Sequence, residues 1–528
     1  MLADNRAKFL LIIVVLISLF LGINNAFVQD DAFISFRYAE NLVEHVELNW
    51  NIGEERVEGY SNFLWTLLIA FFMWIGSDPV ITSMVLGLIF GLGTLIITYY
   101  SAKLMTGSNM IALIALIILG TNYTFSSYMT GGLETQFVTF QIMLLVFLTL
   151  LSTNESGKSK RIINAGISLL FATLILTRLD SGLFCLIAFV YLTVNIIKNK
   201  GEHNVPLAMT LLILPAVFII SGWLYWKYQY YGDILPNTYY VKAAGNNLAT
   251  AIRGLKFTYF FVDAYFLYPF VFLGLVFIKK LSEKSFYVFL ITMSILWVAY
   301  VIKIGGGFME FRFFVPILPL ISIIIAILLS YINQNKVKAV FVLSMIVVSY
   351  FHASTFHGVF NIEPIYGLRD HVTAIDEDWE SVGKELSKFR EANATIAVTP
   401  AGAIPYYSKL RSIDMLGLND KYIAKHGEFL RSMPGHQKIA SMKYIIESDV
   451  NLLIVHPNMI PLNSSIELPF ELFQGGYYTS DDLPEGTKLI EIPINLHYKI
   501  IIPYIKPTAA IDSVIDEQGY KIIELDQI

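Results

Sequence analysis

Residues 8–42 read KFLLIIVVLISLFLGINNAFVQDDAFISFRYAENL, an apolar run at 9–23 followed directly by a polar segment with two adjacent aspartates. The run is close to the length of about 20 residues that an α-helix needs to cross a bilayer. Basic residues precede it as in a signal peptide, but the segment INNAF at 23–27 is a poor small-residue cleavage site. We therefore predict that the run is a membrane anchor and that Asp30 and Asp31 lie where the chain leaves the membrane.

Apolar runs of similar length recur along the chain to about Tyr350 and then stop. Of the 528 residues, 55% are hydrophobic and 15% are charged, against roughly 25% charged in a soluble domain. The net charge of -5 offers no basic field for nucleic acid, so we exclude that class of partner. Eleven membrane spans are predicted, at 9–25, 80–100, 110–127, 135–151, 162–177, 181–197, 207–225, 258–278, 286–304, 313–331 and 337–353.

The orientation follows from clusters of lysine and arginine between these runs. The clusters are Arg6/Lys8, Lys103, Lys158/Lys160/Arg161, Lys198/Lys200, Lys279/Lys280/Lys284 and Lys336/Lys338. All of them fall on one side, as the positive-inside rule requires, if the short apolar stretch at 63–75 does not cross. We therefore predict that this stretch is amphipathic and lies on the outer surface. The amino terminus is then cytoplasmic, and the chain is a multi-pass protein of the plasma membrane.

The last third of the chain has ordinary charge and a different pattern. Residues 381–394 are typical of a helix, and short strand-like runs follow at 394–400, 450–457, 488–494 and 497–505. We predict a mainly α, polytopic helical bundle over residues 1–353 and an extracytoplasmic α/β domain over residues 354–528. With an odd number of spans, this second domain lies outside the cell.

Unusual polar residues of the membrane half gather at the predicted outer ends of the helices. A carboxylate at a membrane surface can act as a general base, and Asp30 and Asp31 are the candidates. Acidic residues at a helix start also serve as caps, which is the alternative reading of this pair. If Asp30 begins a helix, Arg37 shares its face.

Cations on the same side form a second set of candidates. Arg178, Lys242 and Arg312 are predicted to bind a phosphate group, because arginine and lysine offset the charge of such a ligand. The alternative is that Arg178 forms an ion pair with Asp180 or Glu134 that only holds helices together.

The outer loop YQYYGDILPNTYYVKAAG at 228–245 contains Asn237 and several tyrosines, which suit either sugar rings or a membrane-interface aromatic belt. We predict a set of substrate-binding residues on this outer side: Arg37, Glu58, Tyr60, Glu134, Asp180, Asn237 and Tyr239.

The order of several motifs resembles one family. DDAFISFRYAENL, NIGEERVEGYSNFLW, TGGLETQF, TRLDSG, GDILPNTYYVKAAG and GGGFMEFRFFVPILP follow one another as in bacterial GT-C membrane glycosyltransferases, and AGAIPYYSKLRSIDMLGLND continues the likeness in the outer domain. The chain is most similar to the mycobacterial terminal arabinofuranosyltransferases. It departs from them at Gly307 and Leu179, where the related pattern has an acidic residue and a proline, so the sugar stays open.

The resemblance implies an inverting enzyme with a polyprenyl-phosphate sugar donor and an extracytoplasmic active site. Asp30 would be the base, and Asp31 would position the donor, the acceptor or a divalent ion, the one cofactor considered. The acceptor is expected to be a glycan, lipid or protein of the cell envelope. Two alternatives remain: an oligosaccharide ligase or protein O-glycosyltransferase, and a non-enzymatic transporter or assembly factor. The one-sided polarity argues against the transporter, which would spread polar residues through the midplane.

Overall fold

The structure is a computed structural model that describes residues 2–198, 205–242, 247–430, 436–465, 471–473 and 478–525. Its helices are α1 (Leu2–Asn24), α2 (Asp30–His45), α3 (Phe63–Trp74), α4 (Pro79–Thr106), α5 (Asn109–Gly120), α6 (Tyr123–Ser127), α7 (Thr135–Asn154), α8 (Gly157–Thr177), α9 (Gly182–Lys198), α10 (Val205–Tyr231), α11 (Asn237–Lys242), α12 (Asn247–Ala264), α13 (Tyr268–Val276), α14 (Ile278–Ser282), α15 (Ser285–Ile304), α16 (Leu318–Ser330), α17 (Asn335–Thr355), α18 (Ile365–Thr373), α19 (Trp379–Leu386), α20 (Ala403–Ser408), α21 (Lys421–His426), α22 (Met442–Glu447) and α23 (Ala509–Gln518).

Short 3-10 segments lie at Leu179–Ser181, Arg312–Ile317, Ser387–Phe389 and Ser480–Asp482. The strands all belong to the last third of the chain. They are β1 (Thr395–Val398), β2 (Arg411–Asp414), β3 (Glu428–Phe429), β4 (Lys438–Ile439), β5 (Leu452–Val455), β6 (Ile460–Pro461), β7 (Glu471–Phe473), β8 (Tyr478–Thr479), β9 (Lys488–Pro493), β10 (Tyr498–Tyr504) and β11 (Lys521–Glu524).

Nine helices within the described residues are long and apolar enough to cross a membrane. They are Asn5–Asn24, Pro79–Thr106, Thr135–Asn154, Gly157–Thr177, Leu179–Lys198, Val205–Tyr231, Ser285–Ile304, Arg312–Ser330 and Asn335–Thr355. The chain is therefore a multi-pass membrane protein with a mainly helical bundle, as predicted. The stretch predicted to lie on the surface is the 12-residue helix α3, which is shorter than a membrane span.

The two remaining predicted spans are broken helices. The span predicted at 258–278 is the pair α12 and α13, bent by 93°, with Phe266 in the left-handed region at the break. The span predicted at 110–127 ends after 12 residues at Gly120 and restarts as α6, because the Asn122 side chain accepts a hydrogen bond from Phe125 N and caps a new helix. Neither break follows from hydropathy alone.

The segment after α6 returns to the end of the bundle where α2 begins. Phe27 N donates to Thr130 Oγ1 over 3.3 Å, and the Gln29 side chain donates to Gly131 O over 3.1 Å. This close approach depends on Gly87 in α4, where a Cβ atom would lie 2.1 Å from Met129 O. Since α4 ends at the opposite end of the bundle, α5 and α6 carry the chain back across it. The described residues thus contain nine spans, or ten if the bent pair α12 and α13 counts as one, and eleven crossings stay a prediction.

The last third of the chain, which we call the outer domain after its predicted location, contains a mixed sheet, and this confirms the predicted α/β layer. Its strand order is β11-β9-β10-β5-β1-β2, with β6 pairing to β10. Strand β1 is parallel to β2 and β5, whereas β10 is antiparallel to β5 and β9. The carboxyl ends of β2, β1 and β5 therefore meet at one edge, the place where open α/β sheets bind ligands.

The helix α2 joins the membrane half to this sheet. Ala32, Phe33 and Phe36 of α2 belong to the same hydrophobic cluster as Ile396 of β1 and Leu452 of β5. Residues of α3 complete that cluster. The two predicted domains thus share one core, and the first outer loop lies inside it.

The orientation of the bundle leads to a labelling prediction. A single cysteine introduced at Lys158, exposed in the first turn of α8, should be protected from a membrane-impermeant maleimide added to intact cells, whereas one at Leu496 in the β9–β10 turn, 87% exposed, should react. The native Cys185 is buried and gives little background. Labelling at position 158 together with protection at position 496 would reverse the orientation.

Candidate functional site

Asp30 is the first residue of α2, and its carboxylate is held by the outer domain. Gly402 N donates to Oδ2 over 3.0 Å and Ala403 N donates to Oδ1 over 2.7 Å, both from the loop between β1 and α20. A Cβ atom at position 402 would lie 1.9 Å from the Asp30 carbonyl oxygen, so only glycine allows this approach. The carboxylate is therefore fixed in direction by two backbone amides.

Burial raises the pKa of Asp30 to about 7. The amide of Ala403 opposes this shift, the negative charge of Asp31 adds to it, and the Gly402 amide and the His371 charge oppose it. A carboxylate with a pKa near neutrality accepts a proton more readily than an ordinary aspartate. Asp31 is partly exposed and forms no hydrogen bond or ion pair with any residue that the structure describes. One aspartate is thus positioned, and its neighbour is open to a ligand.

Arg37 lies on the same face of α2 as Asp30, but its side chain contacts other parts of the protein. Its guanidinium donates to Trp50 O over 3.0 Å, Pro405 O over 2.5 Å, Leu410 O over 2.8 Å and Asn51 Oδ1 over 3.1 Å. These contacts tie α2 to the first outer loop, to Pro405 of α20 and to Leu410 just after it. Arg37 thus holds parts of the protein together, and its predicted contact with the substrate stays a prediction.

A second cluster surrounds Glu134 at the start of α7. Its Oε1 accepts from Arg178 Nη1 over 2.8 Å and from Arg312 Nη2 over 3.0 Å, and its Oε2 accepts from Asn62 over 2.8 Å. Arg178 also forms a bidentate pair with Asp180, over 2.9 and 2.6 Å. Burial would raise the pKa of Glu134, but Arg312 and Arg178 outweigh it and lower the pKa to about 2. The predicted ion pairs are therefore present.

The two arginines also line a pocket. The other lining residues are Thr135, Val138, Trp297, Phe313 and Pro316. The carboxylates that pair with these arginines, Glu134 and Asp180, do not line the pocket, so its charged lining is cationic and suited to an anion. Helix pairing and ligand binding are thus compatible roles for Arg178 and Arg312.

The remaining predicted site residues lie elsewhere. Glu58 forms a buried ion pair with Lys227 over 2.7 Å, and Tyr60 Oη lies 3.0 Å from Tyr231 Oη. The Asn237 amide donates to three carbonyl oxygens of the outer domain at 417, 418 and 420. These contacts are between parts of the protein, so they hold the outer loops together.

Two residues of the loop at 228–245 do not join those contacts. Tyr239 is half exposed. The side chain of Lys242, predicted to bind phosphate, lies outside the described residues.

The structure brings an unpredicted cluster to the Asp30 side. His371 of α18 lies between the carboxylates of Glu363 and Glu377, and its ring stacks on Trp379 at 4.7 Å and 7°. Burial alone would lower the pKa of His371, but the two carboxylates raise it to about 10, so the ring is a cation. The sequence separates these residues from Asp30 by more than 300 positions, and no local pattern marks them.

A divalent ion is the one cofactor considered from the sequence. No group of three or more His, Cys, Asp or Glu side chains within the described part of the chain has the arrangement of a metal site. His352, at the end of the last span, pairs with Glu310 over 2.8 Å.

Comparison with known proteins decides the family. Residues 8–382 match the model of the Alg9-like mannosyltransferase family, which is more than half of the chain. The chain belongs to this family. It is therefore a glycosyltransferase, and the GT-C resemblance seen in the sequence is confirmed at the level of the superfamily. Residues 368–504, which include Trp379 and Gly402, match a domain of unknown function. No curated protein matches the chain.

Solved structures with the same fold are also membrane proteins of this kind. ArnT from Cupriavidus metallidurans, bound to undecaprenyl phosphate, aligns with a TM-score of 0.56 at 10% identity over 94% of this chain and 97% of that one. The oligosaccharyltransferase AglB from Archaeoglobus fulgidus, in complex with an inhibitory peptide and a dolichol-phosphate, aligns with a TM-score of 0.51 at 11% identity over 86% and 69%. At these identities the likeness shows the fold.

Proposed function

We propose that this glycosyltransferase moves a sugar from a polyprenyl-phosphate donor to a glycan, lipid or protein acceptor on the outer side of the membrane, with inversion. The observation that carries the proposal is Asp30, a carboxylate with a near-neutral pKa that two backbone amides hold beside an open Asp31. The polyprenyl phosphates bound to ArnT and AglB, which share the fold, support a lipid-linked donor.

The proposed step is a single displacement. The acceptor hydroxyl oxygen attacks the anomeric carbon and forms the new C–O bond, while the bond from that carbon to the phosphate oxygen breaks. Asp30 takes the hydroxyl proton, and the lipid phosphate leaves as an anion that Arg178 and Arg312 stabilise. Asp31 positions the donor, the acceptor or a divalent ion, since its carboxylate has no partner among the described residues.

A chain of hydrogen bonds connects α2, the helix that Asp30 begins, to the anion pocket. Ser35 of α2 donates to Asn62 Oδ1 over 3.1 Å, and Asn62 donates to Glu134 over 2.8 Å. Glu134 in turn holds both arginines. The base and the cations therefore belong to one rigid framework at the end of the bundle, as an in-line displacement requires.

Two points of the proposal concern specificity. The family contains mannosyltransferases, and the sequence motifs resemble arabinofuranosyltransferases, so donors of both kinds are to be tested. The alternative acceptor chemistry is that of an oligosaccharide ligase or protein O-glycosyltransferase, which the fold shared with AglB favours.

Release of polyprenyl phosphate tests the proposed function. The purified chain in nanodiscs should release it from one or more polyprenyl-phosphate sugars of a panel that includes mannose and arabinofuranose. The variant Arg312→Met, similar in length but uncharged, should lower the rate by about 10- to 100-fold, because the leaving phosphate loses a cation. Release only from diphosphate-linked oligosaccharides would assign the chain to the ligases, and no release from any donor would contradict the proposal.

A further inference from the structure

Two polar side chains on the outer-domain side of Asp30 have no partner. The Nε1–H group of Trp379 is buried and forms no hydrogen bond within the described residues. His456 lies against the Trp379 ring at 5.6 Å, edge to face, and its ring nitrogens likewise have no hydrogen-bond partner in the part of the chain that the structure describes. Buried polar groups are nearly always paired, so the unpaired Trp379 N–H calls for a ligand, and the half-buried imidazole of His456 lies beside it.

The backbone before His456 is strained in a way that directs this side chain. Val455 has a φ of 51°, which is rare for a β-branched residue. Thr399 fixes this conformation, because its N and its Oγ1 donate to Val455 O over 2.7 and 2.9 Å. The register of β1 and β5 also shifts at this point. Strained residues of this kind cluster at ligand sites, and here the strain places His456 at the carboxyl edge of the parallel strands.

The surrounding charges select the kind of ligand. Burial lowers the pKa of His456 to about 4, with His371 and His436 adding to the shift and Glu377 and Glu363 opposing it, so the ring is neutral. Glu363 and Glu377 flank His371, which stacks on the Trp379 ring. Two carboxylates against one imidazolium disfavour a phosphate ligand, and an indole N–H does not bind a metal. A neutral ligand rich in hydroxyl groups fits the donor and the imidazole.

The location is next to the proposed base. Trp379 belongs to the same hydrophobic cluster as Ala32 and Phe33, in the first turn of the helix that Asp30 begins. The charge of His371, which stacks on Trp379, acts on Asp30. The unpaired groups therefore lie on the outer-domain side of Asp30, in the part of the site that belongs to the sheet, whereas the arginine pocket belongs to the helical bundle.

We propose that Trp379 and His456 form a subsite that binds hydroxyl groups of a sugar residue in the acceptor. The assignment of this sugar to the acceptor rests on the proposed function. The binding of its hydroxyl groups by the two side chains does not depend on the transfer step. In the subsite, Trp379 Nε1–H donates to one hydroxyl, and the neutral ring of His456 donates to or accepts from its neighbour.

Saturation-transfer NMR on the full chain in nanodiscs tests the subsite without turnover. The probes are methyl glycosides, with methyl α-mannopyranoside and methyl arabinofuranosides among them. Trp379→Phe removes the N–H and keeps an aromatic ring against His371, and His456→Ala removes the imidazole. Each should weaken glycoside binding about tenfold, the effect of losing one such hydrogen bond. His497→Ala, at an exposed histidine in the β9–β10 turn, should change nothing.

The outcomes separate the subsite from the reaction. In a transfer assay, both variants should raise the KM for the glycoside acceptor about tenfold and leave the KM for the donor unchanged. Unchanged glycoside affinity in a folded His456→Ala, or no saturation transfer to any glycoside in the native chain, would overturn the subsite. Glycoside binding that the variants weaken, without release of polyprenyl phosphate from any donor, would leave the subsite standing and refute the proposed function.

Discussion

Asp30→Asn is expected to lower kcat by at least about 100-fold, the usual effect of losing a general base. The amide keeps the shape of the carboxylate and one acceptor for the Ala403 amide, but it cannot take a proton. Polyprenyl-phosphate donor binding should persist, because the arginine pocket is unchanged. Release of polyprenyl phosphate under single-turnover conditions measures the effect on the chemical step, and thermal unfolding checks that the variant is folded.

The pH profile gives this prediction a second readout. Since the pKa of Asp30 is about 7, kcat/KM of the native enzyme should fall below roughly that pH as the base becomes protonated, and should level off above it. In Asp31→Asn the fall in kcat/KM should occur at lower pH, because the negative charge of Asp31, which raises the pKa of Asp30, has been removed. That variant should also keep more activity than Asp30→Asn.

Two results would contradict this assignment. If folded Asp30→Asn kept most of its turnover while Asp31→Asn did not, the roles of the two aspartates would be reversed. If both stayed active, the pair would be a helix cap and the base would lie elsewhere. Glu134 would then be a poor substitute, because its low pKa leaves it little tendency to accept a proton.

The membrane half was predictable because hydropathy and charge are local properties of the sequence. Apolar runs predicted nine of the spans, and the charged residues at their ends indicated the end of the bundle where the candidate site lies. The breaks in two of the spans were not predictable in this way. They depend on single residues, such as Asn122, whose side chain caps a helix in competition with continuing the preceding one.

The contacts of the site join residues that are far apart in the chain. A single sequence does not show which distant residues come together. Arg37 was placed correctly on the Asp30 face of a helix, but its partners Pro405 and Leu410 lie in the outer domain. Gly402 stood in a segment that resembles the family, and nothing local showed that its amide would hold the base. A glycine in the loop directly after a buried strand was the one signal available for it.

The ion-pair cluster gives the largest expected effect on stability. In Glu134→Ala, Arg178 and Arg312 lose the buried carboxylate that they share, and Arg312 keeps no other acidic partner within the described residues. Removing one partner of a buried pair typically costs about 3–5 kcal/mol of the free energy of unfolding. Equilibrium unfolding in detergent measures the loss, and Glu447→Ala, which removes an exposed partner of Lys443 in α22, should cost less than about 1 kcal/mol.

A second substitution at position 134 tests whether Arg178 and Arg312 also bind the phosphate of the lipid. In Glu134→Gln, which keeps the shape and an acceptor but removes the charge, Arg178 keeps Asp180 but Arg312 has no acidic partner among the described residues until an anion binds. Added polyprenyl phosphate should therefore raise the melting temperature of Glu134→Gln more than that of the native chain, although both bind it. Equal shifts in the two proteins would show that the arginines do not contact the phosphate. Because the pKa of Glu134 is about 2, the native carboxylate stays ionised throughout the assay range, so acid does not reproduce the variant.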